Sequence, residues 1–211
     1  TKEEAMELAE DWSIRVGMNN PQQRLKQYAF ELSGGQRQRA MIAMALCTNP
    51  DILIADEPTT ALDVTTQAQT LDLLNELQEK NGMSIIMITH DLGVIAELAD
   101  DVNVMYLGKV VESGTLEQVY KSPVHPYTKS LLSSIPSLAT KHRERLPILQ
   151  GTIPHPVARP SGCNFQPNCE GQKEECLDAI PIIIEESSGH FALYCGVCYE
   201  DHKCAWYPRG I

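Results

Sequence analysis

The sequence predicts an α/β layered domain followed by a small cysteine-rich module. Two short, largely apolar runs, at residues 52–55 and 84–89, alternate with helical patterns, as in a layered domain built on a parallel sheet. The run at 52–55 is apolar throughout, which is typical of parallel strands covered on both faces, and the run at 84–89 is predicted to be a second buried strand. Beyond residue 160 the composition changes, because six of the seven cysteines lie between Cys163 and Cys204.

The first predicted element is a helix over residues 1–18, where apolar side chains recur at helical spacing and Gly17 ends the pattern. A second helix is predicted from Ser33 to Cys47. It is apolar on most faces, which indicates that it is largely buried. Asn49-Pro50 ends it.

A glycine-bearing turn, Leu32-Ser33-Gly34-Gly35-Gln36, opens this second helix. Its glycines allow the backbone to approach a ligand closely, and the first turn of a helix offers unpaired N–H groups to an anion. The turn therefore predicts a phosphate-type site. The alternative is an ordinary capped core helix whose two following arginines pair with acids.

Acidic and imidazole side chains follow the two predicted strands. Asp56 and Glu57 come directly after the strand at 52–55, and His90 follows the strand at 84–89. Open α/β sheets place their chemistry at the carboxyl ends of their strands. The sequence thus predicts a site at this edge; the alternative for the two acids is a structural role in the turn before Pro58.

The other elements follow from the same patterns. They are a helix at 66–80 ended by Asn81-Gly82, a helix at 92–99 capped by Asp91, a hairpin of 102–107 with 110–112, and a helix at 115–121. Residues 137–160 are rich in proline, which predicts an extended linker.

Composition limits the function classes. The 211 residues can form one large domain, or one with a small companion, and the net charge is −11. This acidic balance argues against a general nucleic-acid binder. No apolar run reaches the roughly 18 residues of a membrane helix, and no secretory segment is visible, so any membrane role is predicted to be peripheral.

Four segments together resemble motifs of the ATP-binding cassette (ABC) ATPases. In chain order they are the signature motif (Leu32–Gln36), the Walker B strand (Asp51–Pro58), the D-loop (Ala61-Leu62-Asp63) and the switch-histidine loop (Thr89-His90-Asp91). The resemblance implies a P-loop NTPase fold. Because no G-x-x-x-x-G-K-S/T phosphate loop occurs in the sequence, we expect a partial domain: a C-terminal fragment lacking Walker A and inactive by itself.

The resemblance also implies residue roles within the chain's own nucleotide site. Asp56 would hold Mg²⁺, Glu57 would be the general base that activates water, and His90 would contact the γ-phosphate of ATP. Asp63 would communicate across a dimer interface.

The signature residues would serve a different nucleotide. In ABC ATPases this motif contacts the ATP bound by a partner, so Ser33, Gly34, Gly35 and Gln36 are predicted to bind nucleotide across a dimer. The implied partner is a second ABC ATPase subunit, in a homo- or heterodimer.

A second resemblance covers the segment from Pro123 to Pro136, which contains His125-Pro126-Tyr127. It resembles a segment of oligopeptide, dipeptide and nickel importers. The implied function is an ATPase that energises import of peptides or nickel complexes from the cytoplasmic face of the membrane. Its partners would be two transmembrane permeases and, indirectly, a substrate-binding protein, with no nucleic acid. The alternatives are a soluble ABC-type ATPase acting on DNA or ribosomes, and a non-catalytic partner subunit.

The cysteines of the tail predict a metal centre. In a reducing compartment such a cluster indicates metal ligands rather than disulfides, and the spacing alone supports no more than that. The tail also resembles the C-terminal module of peptide-importer ATPases, which implies a 4Fe-4S cluster held by Cys163, Cys169, Cys176 and Cys195. Zn²⁺ is the alternative metal. Cys195 and Cys198, with His202 and Cys204, also have a spacing typical of zinc ligands, so Cys198 is an alternative fourth ligand of the cluster.

These observations predict three regions. Residues 1–121 form the C-terminal part of an ABC ATPase domain, residues 122–160 a family-specific extension and linker, and residues 161–211 the cysteine-rich module.

Overall fold

The computed structural model describes residues 1–60, 62–135, 151–155, 157–169 and 172–194. The chain divides into two compact units, Thr1–Val94 and Ile95–Ile211. The helices are α1 (Lys2–Arg15), α2 (Pro21–Arg24), α3 (Gly34–Leu46), α4 (Val64–Asn81), α5 (Leu92–Leu98), α6 (Leu116–Lys121) and α7 (Pro126–Ser133). The strands are β1 (Ile52–Asp56), β2 (Ser84–Ile88), β3 (Asp101–Tyr106), β4 (Lys109–Thr115), β5 (Ile182–Ser187) and β6 (His190–Tyr194).

The predicted helices and strands of residues 1–121 are confirmed, with ends shifted by at most three residues. Their limits follow local chemistry. A capping box between Thr1 and Glu4 starts α1, and Gly82 ends α4 in the left-handed conformation, with φ 65°. The Asp91 carboxylate accepts N–H bonds from Gly93 and Val94, so the predicted cap of α5 is also confirmed.

The core of the first unit lies among α1, α3, α4 and the two parallel strands. Helix α3 contacts both α1 and α4. The apolar cluster of this core consists of the buried side chains of Trp12, Val16, Met18, Ile42, Ala43, Leu46, Leu53, Leu73, Leu74, Leu77 and Met83. Burial of such side chains is the main favourable term in forming this unit.

Helix α3 is buried along one stripe only, so the prediction of a largely buried helix was wrong. Ile42 and Leu46 face the core, whereas Met41 and Met44 are 62% and 73% exposed. An α-helix has 3.6 residues per turn, so a run of consecutive apolar residues occupies every face of the helix. Only one of these faces packs against the core.

Strands β1 and β2 pair in parallel, with Asp56 opposite Ile88. The prediction of coverage on both faces was wrong for the described residues, because burial alternates along β1. Leu53 is buried, while Ile54 on the opposite face is 64% exposed. Successive strand residues point to opposite faces, and the helical core packs against one.

The second unit contains a four-stranded antiparallel sheet with the order β3-β4-β6-β5. The hairpin of β5 and β6 was not predicted. It joins the sheet through the pairs Glu112–Ala192 and Ser113–Phe191. An aromatic cluster of Tyr106, Tyr127 and Phe165 packs beside it.

A buried carboxylate lies where β4 meets β6. Glu112 is 1% exposed, and its oxygens accept bonds from the N–H groups of Val124 (2.8 Å) and His125 (2.9 Å). Its Oε1 also lies 2.9 Å from Nε2 of His190, which is 3% exposed. One carboxylate therefore ties β4 to the segment before α7 and to the hairpin of β5 and β6.

None of the helices in the described ranges is both long enough and apolar enough to span a lipid bilayer.

Candidate functional site

The carboxyl ends of β1 and β2 bring three of the predicted site residues to one edge. Asp56 is the last residue of β1 and lies opposite Ile88, the last residue of β2. The Glu57 N–H donates to the Ile88 carbonyl at 2.8 Å, which extends the pairing by one residue. Because the strands are parallel, His90 reaches the same edge.

The side chain of Glu57 is held on both oxygens. Its Oε1 lies 2.7 Å from Nδ1 of His90, and its Oε2 accepts a 2.8 Å bond from the Thr60 hydroxyl. The Glu57 backbone has φ 48°, a left-handed conformation that residues other than glycine rarely adopt. Non-glycine residues in this region cluster at active sites, where the surrounding structure holds them in place.

The contact between Glu57 and His90 shifts the pKa of both side chains. The hydrogen bond with His90, and next the one with Thr60, lowers the pKa of Glu57 below its usual value. The same bond with Glu57 raises the pKa of His90. Glu57 is therefore a carboxylate at neutral pH, and His90 is biased towards its protonated form. A carboxylate can accept a proton from water, and an imidazolium that is 82% exposed can bind an anion.

The signature turn is closed by a capping box. The Ser33 hydroxyl accepts the N–H of Gln36 at 3.3 Å, and Gln36 Oε1 accepts the N–H of Ser33 at 3.0 Å. Gly34 and Gly35 are the first two residues of α3, so the turn presents a helix N-terminus. Among the described residues, Arg37 donates to the carbonyl of Ala29 and Arg39 to that of Val16, and neither pairs with an acid as the alternative interpretation expects.

Asp63 starts helix α4. Its Oδ1 accepts the N–H of Thr66 at 2.9 Å, and its Oδ2 accepts the Thr66 hydroxyl at 2.7 Å. These bonds lower the pKa of Asp63, the backbone N–H of Thr66 having the largest effect. Asp63 is thus charged and fixed by one residue.

The structure sorts the predicted residues into two groups. Glu57 and His90 are in direct contact at the strand edge. The signature turn (Leu32–Gln36) lies beside the Asp63 loop, by which we mean Asp63 and the first turn of α4 that it caps. A Cβ built on Gly35 would be 2.7 Å from Cγ2 of Thr66. Sequence reasoning missed Thr60 and Thr66. A hydroxyl residue three positions after each functional carboxylate was the available signal.

Three of the predicted metal ligands lie in the described part of the tail. The N–H of Cys163 donates to the carbonyl of Cys176 at 3.3 Å, and Cys163 and Cys169 both pack against the aromatic cluster. Within the described residues, however, no three His, Cys, Asp or Glu side chains are placed to hold a metal ion. Cys195 and Cys198, with His202 and Cys204, lie outside the described residues.

Comparison with protein families decides the identity of the fold. A family model described as "ABC transporter" matches residues 2–60. A second, described as "Oligopeptide/dipeptide transporter, C-terminal region", matches residues 111–176. Over residues 2–60 the chain matches the ABC transporter family. The fold that this match supports is that of an ABC ATPase, a P-loop NTPase.

Curated relatives of this chain are named as ATP-binding proteins of peptide import or transport. The chain is 49% identical over 195 residues to "Putative peptide import ATP-binding protein BMEII0863" of Brucella melitensis, covering 90% of this chain and 58% of that protein. It is 47% identical over 188 residues to "Oligopeptide transport ATP-binding protein AppD" of Bacillus subtilis, covering 89% and 57%. The chain thus spans somewhat more than half the length of these relatives.

One similar solved structure is described as "Dimeric structure of a post-hydrolysis state of the ATP-binding cassette MJ0796 bound to ADP and Pi". The alignment has 32% identity and a TM-score of 0.48, and it covers 55% of this chain and 49% of that chain.

Proposed function

We propose that the complete protein is the ATP-binding and ATP-hydrolysing subunit that energises import of peptides, or of nickel complexes, across the cytoplasmic membrane. The observation that carries the proposal is the contact between Glu57 and His90 at the ends of two parallel strands. It occurs in a chain whose relatives are named peptide import ATP-binding proteins.

The geometry supports different roles for the three residues at the carboxyl ends of β1 and β2. Glu57 is the general base: its carboxylate is held by His90 and Thr60 and can accept the proton of an attacking water. His90, which is exposed and biased towards the charged form, contacts the γ-phosphate of ATP. Asp56, exposed at the end of β1, is the oxygen ligand that suits Mg²⁺, and the ion neutralises phosphate charge when bound.

The signature turn acts on a nucleotide held by a second ABC ATPase subunit, in a homo- or heterodimer. The exposed Ser33 with Gly34, Gly35 and Gln36 offers a helix N-terminus to the γ-phosphate. Asp63 lies at the dimer interface. The assembly binds two transmembrane permeases from the cytoplasmic side as a peripheral subunit, and a substrate-binding protein delivers the cargo. No nucleic acid takes part.

The tail is proposed to be a distinct region that holds a 4Fe-4S cluster. Regions of 1–121, 122–160 and 161–211 remain the proposed division. Three thiols within one short stretch, two of them beside the same aromatic cluster, support a metal centre. The described side chains alone do not complete the site, so the fourth ligand is assigned to Cys195, or to Cys198. Zn²⁺ is the alternative ion.

Metal analysis tests this assignment. We expect anaerobically purified complete protein to be brown and to contain iron, and Cys169→Ser to lose both, since Cys169 is one of the proposed ligands. Cys47→Ser is the matched control, because Cys47 lies in the first unit beside α3. Colourless protein with stoichiometric zinc would contradict the cluster.

A soluble ABC ATPase that acts on DNA or ribosomes is not favoured. The match of residues 111–176 to a transporter C-terminal region, and the names of the relatives, point to transport. A non-catalytic partner subunit is also less favoured, because Glu57 and His90 are both present and in contact.

Reconstitution tests the transport function. The complete gene product, co-expressed with candidate permeases, should co-purify with them from membranes. Its ATP hydrolysis in proteoliposomes should rise when a peptide-loaded binding protein is added. Hydrolysis that responds to DNA or ribosomes, with no association with membranes, would contradict the proposal.

A further inference from the structure

The backbone of Gly35 lies so close to Thr66, near the start of helix α4, that no residue with a Cβ atom would fit there without a shift. A Cβ built at Gly35 would lie 2.7 Å from Cγ2 of Thr66, a distance that real Cβ atoms essentially never show. The backbone at Gly35 is not in the left-handed region, so its conformation does not itself require glycine. Glycine is required there because Thr66 leaves no space for a Cβ atom.

Thr66 cannot easily move aside. Its hydroxyl donates to Asp63 Oδ2 at 2.7 Å, and its N–H donates to Asp63 Oδ1 at 2.9 Å. Two heavy atoms on Cβ restrict the first side-chain torsion of threonine. Rotating the methyl group away from Gly35 would therefore break the hydroxyl bond to Asp63.

We propose that Thr66 is a positioning residue that joins the signature turn to the Asp63 loop. Its methyl group sets where Gly35 lies, and its hydroxyl sets where the Asp63 carboxylate lies. A displacement of either loop is thereby passed to the other through one side chain. The inference rests on the proposed function, because its kinetic readout is ATP hydrolysis.

The chain provides a matched control one residue away. A Cβ at Gly34 would lie 3.7 Å from Cδ2 of Leu62, an ordinary van der Waals contact. Alanine thus fits at position 34 within this chain, whereas at position 35 it meets Thr66. Both glycines belong to the same turn, so a general sensitivity of the turn to alanine would affect them alike.

The test is a double-mutant cycle in the complete gene product with its partner subunit. We expect Gly35→Ala to lower kcat for ATP hydrolysis by about tenfold or more, because the added methyl group displaces the turn from its place beside Thr66 and about 1.4 kcal/mol of lost transition-state stabilisation is tenfold in rate. Thr66→Ser removes the methyl group but keeps the hydroxyl. It should recover about tenfold of the activity lost in Gly35→Ala, and none of that lost in Gly34→Ala. A double variant no more active than Gly35→Ala overturns the proposal.

A second variant separates positioning from folding. Thr66→Val keeps the methyl contact with Gly35 but loses the bond to Asp63 Oδ2. We expect kcat to fall by about threefold to tenfold, with the KM for ATP and the Tm close to wild type. A lower Tm with wild-type kcat would mean that Thr66 is only structural, and would overturn the proposal.

Failure of the proposed function is distinguishable. If the wild-type assembly hydrolyses no ATP, that function fails, and the same variants are compared by thermal unfolding. Thr66→Ser should then raise the Tm of Gly35→Ala but not that of Gly34→Ala. Equal effects on both overturn the contact itself.

Discussion

Replacing Glu57 with glutamine should reduce steady-state ATP hydrolysis by the complete protein by about two to four orders of magnitude. The amide has the same shape as the carboxylate and keeps an oxygen that can accept the Thr60 bond. It cannot take a proton from water, and it carries no charge to raise the pKa of His90. ATP binding should remain, so the variant should accumulate as a nucleotide-bound closed dimer.

Steady-state ATP hydrolysis and size-exclusion chromatography with ATP measure these two effects. The partner subunit must carry the same substitution if it is a different chain, because its own site would otherwise hide the loss. Glu79→Gln is the matched control, since Glu79 is an exposed carboxylate on α4. A Glu57→Gln assembly with wild-type turnover would remove Glu57 from the role of base.

The contact of Glu57 with His90 could be predicted in outline from the sequence. Two apolar runs gave two strands, and parallel strands place their carboxyl ends together. The left-handed backbone of Glu57 could not be predicted, because glutamate has no preference for it and the surrounding turn imposes it. The Thr60 bond depends on that same turn.

The packing of the signature turn shows a similar limit. Two glycines predicted a close approach, and a ligand was the natural candidate. At Gly35 the structure places Thr66 of the same chain in that space. A sequence shows where a Cβ is missing, but what fills the space depends on tertiary contacts.

Non-local pairing explains what was missed in the second unit. The β3–β4 hairpin has a tight turn at Gly108, with φ 74°, and was predicted from local pattern. Strand β6 pairs with β4 although the two strands are far apart in the sequence, so no local pattern predicts this pairing. The role of Glu112 was missed for a similar reason, because its partners Val124, His125 and His190 lie outside its own hairpin, 12, 13 and 78 residues further along the chain.

Replacing Glu112 with alanine is expected to destabilise the second unit by about 3 kcal/mol or more, because several hydrogen-bonding groups lose their partner at about 1–3 kcal/mol each. The Glu112 side chain is almost fully buried and accepts bonds from two N–H groups and an imidazole. Alanine removes this acceptor from Val124, His125 and His190 at once. Buried donors that lose their acceptor keep their desolvation cost, so the effect should exceed that of the lost bonds alone.

Amide hydrogen exchange of the complete protein is the sharpest measurement, because it reports on this unit separately from the first unit. In Glu112→Ala the N–H groups of Val124 and His125 should exchange much faster, as should those of β6, while helix α3 should be unchanged. Glu117→Ala is the matched control, since Glu117 is an exposed carboxylate of α6 that pairs with Lys121 at 2.8 Å. Unchanged protection in Glu112→Ala would show that the hairpin of β5 and β6 is held by its apolar contacts and strand pairing rather than by this carboxylate.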